Sequence, residues 1–395
     1  MTMIYFDSVS GRWFHQTDQA SFVWGKENKE ISYSANNSST CGFRVKNTAY
    51  NKIGPLIGVL TSPSVLNRMN DQPHQNILSL HQIVQKHGGL LVLFSLNNVT
   101  NSFIEGLIYN SGLSQWEPAI LPFPDIIYNR YPNRKKEQTL LFQQRLTQLK
   151  KQQIPIINER FFSKWDVHQL FSEHPFLRRH VPYTTLFQGF DDLKSMLEDY
   201  HYVYIKPIHS SKGRGIASLT RTKDGAITYQ NHYRTKSFPT LLELAKDTLT
   251  GYEGHLILQE GIESQTHNGN RFDIRLLAHK SHDQYIVSGI GIRQSLAQPL
   301  TTHVINGGQI LSIDQVQKHV DIPMLQQIAQ ASGEALSKGY NLIGEFSLDI
   351  VPSLHNHYYV LEANAKPMIF DEEAIQESGS QNLYNLFCEL TGFSP

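Results

Sequence analysis

Residues 204–216 read YIKPIHSSKGRGI. An apolar, alternating run ends in Lys206. Ser211, two further cations (Lys212 and Arg214) and two glycines (Gly213 and Gly215) follow, and apolar sequence then resumes. Such a composition suits a phosphate-binding loop, because glycine lets backbone N–H groups approach an anion and the cations offset its charge. What comes after the loop decides its kind. A Walker loop needs G-x-x-x-x-G-K-[ST], and the chain has none. The run Gly213-Arg214-Gly215-Ile216-Ala217-Ser218 stops one glycine short of G-x-G-x-x-G. Its continuation, IASLTRTKDGAITYQ (216–230), is β-branched, alternating and broken at Asp224-Gly225, which predicts a hairpin. A dinucleotide fold requires a helix there, with its N-terminus aimed at the pyrophosphate. The helix-based cradles are therefore excluded. Taken alone, the loop fits an exposed hairpin with ordinary surface cations equally well.

A second signal lies near the C-terminus. LIGEFSLDIVPSLHNHYYVLEANAKP (342–367) predicts two strands around the turn PSLHNH. Glu362 and Asn364 are two apart and share a strand face, and folding the hairpin brings Asp349 opposite them. Two carboxylates and an amide oxygen form a hard, oxygen-only donor set suited to Mg²⁺ with phosphate oxygens as further ligands. Such groups are costly to bury in apolar strands without a cation. The alternative is that they line the solvent face of an edge hairpin. His355 and His357 read as exposed turn residues and are assigned no metal.

The rest of the chain sets the frame. Its 395 residues, 40% apolar and 11% aromatic, are enough for two or three domains with sizeable cores. Thirty-five basic residues balance thirty-five acidic ones, so bulk charge argues against nucleic acid or an anionic membrane as partner. Cys41 and Cys388 are far apart, which excludes a disulfide framework or a thiolate zinc site and fits a reducing cytosol. No secretion signal or run of ~18 apolar residues is present, so no membrane span is expected.

Residues 1–50 predict an accessory β-rich segment, and 51–132 a small α/β domain opened by the strand IGPLIGVL, the helix HQNILSLHQIVQK and the strand LLVLFSL. Residues 133–395 mix helices and antiparallel strands. KKEQTLLFQQRLTQLKKQQ predicts an amphipathic helix, and SKWDVHQLF a helix capped by Ser163. DIPMLQQIAQASGEALSKGY predicts a long helix capped by Asp321 and stopped at Gly339.

The ordered series SKW, YIKP…SSKGRGI, LQEGI, RFDIRLL, GEFSLDI and LEANAKP resembles the ATP-grasp enzymes, and especially the YheC/YheD group described as endospore coat-associated proteins, over about residues 53–370. The resemblance implies a mixed α/β and α+β fold: an N-terminal pre-ATP-grasp domain, here preceded by the small β extension, then two lobes clasping ATP. A flap-bearing lobe would span about 185–258 and a metal-bearing lobe about 259–395. It also implies roles. Lys164 and Lys206 would contact the nucleotide phosphates under a flap at 210–216 carrying Ser211, Lys212, Gly213, Arg214 and Gly215. Gln259, Glu260, Gly261 and Ile262 would form the adenine hinge, and Asp349, Glu362 and Asn364 would hold a pair of Mg²⁺ ions. Arg275 and Arg293 would grip the γ-phosphate or an acyl phosphate, Arg130 and Lys366 would reach a substrate, and Asn306 would sit on a closing loop.

The implied activity is amide formation between a small carboxylic acid and an amine, such as amino acids or peptides, driven by ATP in the cytoplasm and linked to the spore coat or envelope. A kinase using the same clasp, or a non-catalytic ATP-binding coat protein, is the alternative. One departure from the family stands out: Met368 follows Pro367 where glycine is common. The sequence leaves the oligomeric state open.

Overall fold

The computed structural model describes residues 1–35, 40–210, 213–295 and 308–395. Among the described residues, the strands form three open sheets and one small barrel.

The barrel closes from six short strands, the first Thr2–Asp7 and the last Lys52–Gly54. It thus runs slightly beyond the expected limit at residue 50. Alternation puts Ile4, Phe6, Trp24 and Phe43 inside, and their cluster continues into Leu56, Phe94 and Ile104 of the next sheet. The extension therefore shares its core with its neighbour.

That neighbouring sheet is the α/β unit. Strands Leu90–Phe94, Leu56–Leu60, Ile126–Asn129 and Ile156–Ile157 run parallel, and Ile104–Asn110 and Gln115–Leu121 complete one edge antiparallel. The parallel strands read as unbroken apolar runs because both faces are covered. The barrel and helix Leu140–Lys150 cover one face; helix Gln75–Lys86 and the C-terminal helix Glu373–Thr391 cover the other. The segment leading to Ile157 supplies an edge strand to this sheet. One sequence expectation is corrected here. The single amphipathic helix is split into Arg134–Glu137 and Leu140–Lys150, because the Thr139 hydroxyl accepts from Phe142 N–H and starts a new helix.

Two antiparallel sheets follow. One comprises Thr184–Leu186, Leu256–Glu260, Tyr202–Pro207, Ala217–Arg221, Ile227–Asn231 and Thr235–Phe238, backed by helices Phe190–Asp199 and Leu241–Thr248. The predicted hairpin after Lys206 is its Ala217–Arg221 and Ile227–Asn231 pair. The other sheet orders Gly308–Leu311, Gln284–Ser295, Asn270–Ser281, Glu345–Pro352 and Tyr358–Asn364, backed by helices Lys164–Glu173 and Ile322–Tyr340. The last helix starts on the expected Asp321 cap, whose carboxylate accepts from Met324 N–H. Its stop is Asn341 at φ 62° rather than Gly339, which stays inside the last turn and packs against Leu170 where a side chain would not fit. No described helix is long and apolar enough to cross a membrane.

Candidate active site between two antiparallel sheets

The site is built from strand alternation and one helix start. Ser163 caps helix Lys164–Glu173 by accepting from Asp166 N–H, which fixes Lys164 in the first turn. From there its ammonium donates to Glu362 Oε1 at 2.6 Å and to the Ser210 carbonyl at 3.2 Å. One lysine thus ties the strand that carries the predicted ligands to the base of the predicted flap.

Lys206 projects from Tyr202–Pro207 and is buried. Its ammonium donates to Gln259 Oε1 at 2.5 Å, and the Gln259 amide donates in turn to Thr184 Oγ1 at 3.0 Å. Burial pulls Lys206 down to about 8; Glu362 and Asp349 favour its charge, while Lys164 opposes it.

In the facing sheet, Asp349 pairs directly with Glu362 and Ser347 with Asn364. The register shifts between Asp349 and Ile350, which pairs with Val360 and leaves Leu361 unmatched. A bulge of this kind re-aims side chains beside a site. Two carboxylates facing one another across strands repel. Here each has a cation: Glu362 has Lys164, and Asp349 has Arg293 Nη2 at 2.9 Å. Arg293 also grips Asp273 through Nε at 2.9 Å and Nη2 at 2.6 Å. Among the described residues no three His, Cys, Asp or Glu side chains cluster as a metal site. The third donor is the Asn364 amide, and the set of two adjacent carboxylates plus that amide fits a hard cation such as Mg²⁺.

Other predicted residues have distinct settings. Arg275, opposite Asp349, donates to Met368 O at 2.6 Å and Ile369 O at 3.2 Å and lies 4.0 Å over the Phe370 ring. It anchors the segment that follows strand Tyr358–Asn364. Arg130 donates to Glu345 Oε1 at 2.9 Å and Pro367 O at 2.8 Å. Lys366 donates to Glu137 Oε1 at 2.5 Å and Tyr131 O at 3.2 Å, and burial lowers it to about 8 despite that carboxylate. Both cations are thus held within the protein, near the site but in pairs of their own.

In the predicted hinge, Gln259 faces Lys206, whereas Glu260 lies on the opposite strand face beside Tyr200; burial and then this carboxylate push the Tyr200 phenol up to about 12. Gly261 N–H donates to Tyr202 O, and a Cβ there would meet the Tyr202 ring at 2.0 Å. Ile262 follows, half-buried. Gly213 and Gly215 have φ of 69° and 74°, and Arg214 between them is exposed. Ser211, Lys212 and Asn306 lie outside the described residues. A cleft lies between the sheets, lined by Lys164, Gln259 and Glu362 with Ile257, Pro182 and Leu361.

Sequence reasoning overlooked four participants. Asp273 stands two before Arg275, and Glu345 four before Asp349, so strand period was an available signal for both. Glu137 and Thr184 carried none, since their partners lie 229 and 75 residues away.

Comparison with known proteins places this geometry. A profile described as "YheC/D like ATP-grasp" matches residues 153–389, which include both sheets of the cleft. The chain belongs to this ATP-grasp family. It is 30% identical over 338 residues to Endospore coat-associated protein YheD of Bacillus subtilis (strain 168), covering 80% of this chain and 73% of that protein. In fold, this ATP-grasp chain is similar to the VanG D-Ala:D-Ser ligase from Enterococcus faecalis, with TM-score 0.52 and 11% identity over 86% of this chain and 99% of the ligase. It is likewise similar to the D-alanyl-alanine synthetase A from Vibrio cholerae O1 biovar eltor str. N16961, with TM-score 0.52, 11% identity and the same two coverages.

Proposed function

We propose that this protein is an ATP- and Mg²⁺-dependent ligase that joins a small carboxylic acid to an amine through an acyl phosphate. One observation carries the reading: Lys164 and Lys206 converge from two elements on a cleft whose facing strands set Asp349 against Glu362. Two buried ammonium groups and paired carboxylates in one place match the charges of a triphosphate and its metal.

Asp349, Glu362 and Asn364 would hold Mg²⁺, which when bound offsets phosphate charge. Lys206, part-neutral in the free protein, becomes fully charged against phosphate oxygens. Lys164 exchanges Glu362 for phosphate while the helix cap keeps its backbone in place. The carboxylate of the acid attacks the γ-phosphorus, the bond to the bridging oxygen of ADP breaks, and Arg275 and Arg293 provide planar, multidentate donors for the resulting acyl phosphate. The amine then attacks the acyl carbon, expels inorganic phosphate and loses a proton to give the amide. No protein nucleophile is needed, because positioning and electrostatics supply the rate.

Arg130 and Lys366, fixed on Glu345 and Glu137, shape the substrate end of the cleft. The 210–216 segment would act as the flap, and the Gln259–Ile262 stretch as the adenine hinge. Residues 133–157, though sequence-adjacent to the clasp, would move with the α/β unit. The relationship to the endospore coat-associated protein YheD supports a link of this chemistry to the spore coat or envelope; the reading places the reaction itself in the cytoplasm.

The test is to incubate the protein with ATP, Mg²⁺ and pooled amino acids and small carboxylic acids, following ADP, phosphate and new amide masses. The reading predicts acid-dependent ADP and an amide product. ADP no higher than in the Glu362→Gln variant would sink it, and a phosphorylated alcohol in place of an amide would make the protein a kinase.

A further inference from the structure

A second cavity opens on the same sheet as the candidate metal ligands. Strand Glu345–Pro352 sets Glu345, Ser347 and Asp349 on one face, while Phe346, Leu348 and Ile350 point into the core on the other. Strand Asn270–Ser281 places His279, Leu277 and Arg275 directly opposite those three. From Asp349 to Glu345 is four residues, or about 13 Å at ~3.3 Å per residue. The cavity lies at the Glu345 end of that stretch: Leu277, His279 and Glu345 form its floor, and Met368 and Phe370, which Arg275 contacts, form the wall nearest Arg275 and Asp349. Gly289, opposite Leu277 on the next strand, lets this wall come close, since a Cβ there would meet Ile375 at 2.3 Å.

The lining is mostly apolar; its charged side chains are Glu345 and Arg130, and Asn76, Ser79, Gln376, Ser380 and His279, whose Nε2 lies 3.6 Å from Glu345 Oε2, add polar groups. Glu345 accepts from the Tyr128 phenol and from Arg130 Nη1, and His279 Nδ1 shares a 2.7 Å hydrogen bond with Ser288 Oγ. One carboxylate offsets one guanidinium, so an incoming charged group would be desolvated without a spare counter-ion among the described lining residues. An uncharged apolar group meets no such cost.

We propose that this cavity receives the side chain of the carboxylic acid substrate, and that this side chain is a branched aliphatic or aromatic group. The carboxylate lies at the Arg275 and Asp349 end, and the apolar body runs along the sheet toward Glu345. Met368 and Phe370 become specificity-determining residues. This inference rests on the ligase reading above for the position of the reacting carboxylate.

Calorimetric titration of the whole protein, without nucleotide, with L-leucine, L-phenylalanine, L-alanine, L-glutamate and L-lysine tests it, because these probes share one carboxylate and differ in side chain. Leucine and phenylalanine should bind ~tenfold or more tighter than the other three. Ser79→Phe, filling the cavity from helix Gln75–Lys86, and independently Ser380→Phe, filling it from the C-terminal helix, should remove that advantage while Mg²⁺-ATP still raises the melting temperature. Equal affinity for all five, binding of none, or an advantage that survives in a folded filling variant would overturn the proposal. Failure of the ligase reading looks different: leucine and phenylalanine would bind selectively, yet no acid would elicit ADP.

Discussion

An ammonium buried against an amide and near a second ammonium is driven toward its neutral form, which is why Lys206 sits at about 8 instead of its ordinary 10.5. A triphosphate would restore the charge. ATP binding near pH 8.5 should therefore take up protons, and uptake should fade below about pH 7, where the lysine is already charged. Calorimetry in two buffers of different ionisation heat measures this; uptake that is absent, or unchanged in Lys206→Met, contradicts it. The stability sign follows from the same shift. The folded pKa is the lower one, so the unfolded chain holds the proton longer, and this group's contribution rises with pH between about 8 and 10.5. At this scale the shared strand setting of Asp349, Glu362 and Asn364 and the strand-end position of Lys206 were legible from a two-residue period, whereas Lys164 came into view only through the family resemblance. Arg130 was not legible, because its partner Glu345 is 215 residues away and nothing local distinguishes a paired guanidinium from one open to substrate.

Helix starts and strand ends hold the site's parts in place. Ser163→Ala removes the hydroxyl that accepts from Asp166 N–H and should cost about 1 kcal/mol of stability. It should also weaken Mg²⁺-ATP binding, because Lys164 loses its fixed origin; thermal melts with and without Mg²⁺-ATP separate the two effects. At the hinge, Gly261→Ala forces a methyl into the Tyr202 ring and should destabilise by ~1–3 kcal/mol in denaturant titration. An unchanged midpoint would mean that the ring moves aside freely. Elements with their own punctuation were read correctly: the Asp224-Gly225 hairpin, the Ser163 and Asp321 caps and the strand around Asp349. Two were misread. Gly339 looked like a stop, but the helix ends at Asn341, another residue type that tolerates positive φ, and Thr139 breaks a periodic run by capping a second helix.

Across the whole molecule, chain order and spatial order part company. The last helix of the sequence lies under the first open sheet: Phe387 and Tyr384 are fully buried among Ile57, Val59 and Leu91, and the Tyr384 phenol donates to His87 O at 2.9 Å. No local pattern predicts this return, which depends on which apolar face is left uncovered once the sheets have formed. Phe387→Ala should cost about 3–5 kcal/mol and should shift unfolding of the α/β unit and the clasp together, as followed by two spectroscopic probes; separate transitions would contradict a shared core. The same return closes the cavity next to Glu345, so the α/β unit, the clasp and the chain end meet around that cavity. The claim that joins these parts is that a carboxylic acid is activated as an acyl phosphate. Its most direct measurement uses a turnover-supporting acid carrying heavy oxygen in its carboxylate, with mass analysis of the phosphate released. One labelled oxygen per phosphate is the predicted result, and phosphate released with amide formation but without label would contradict it.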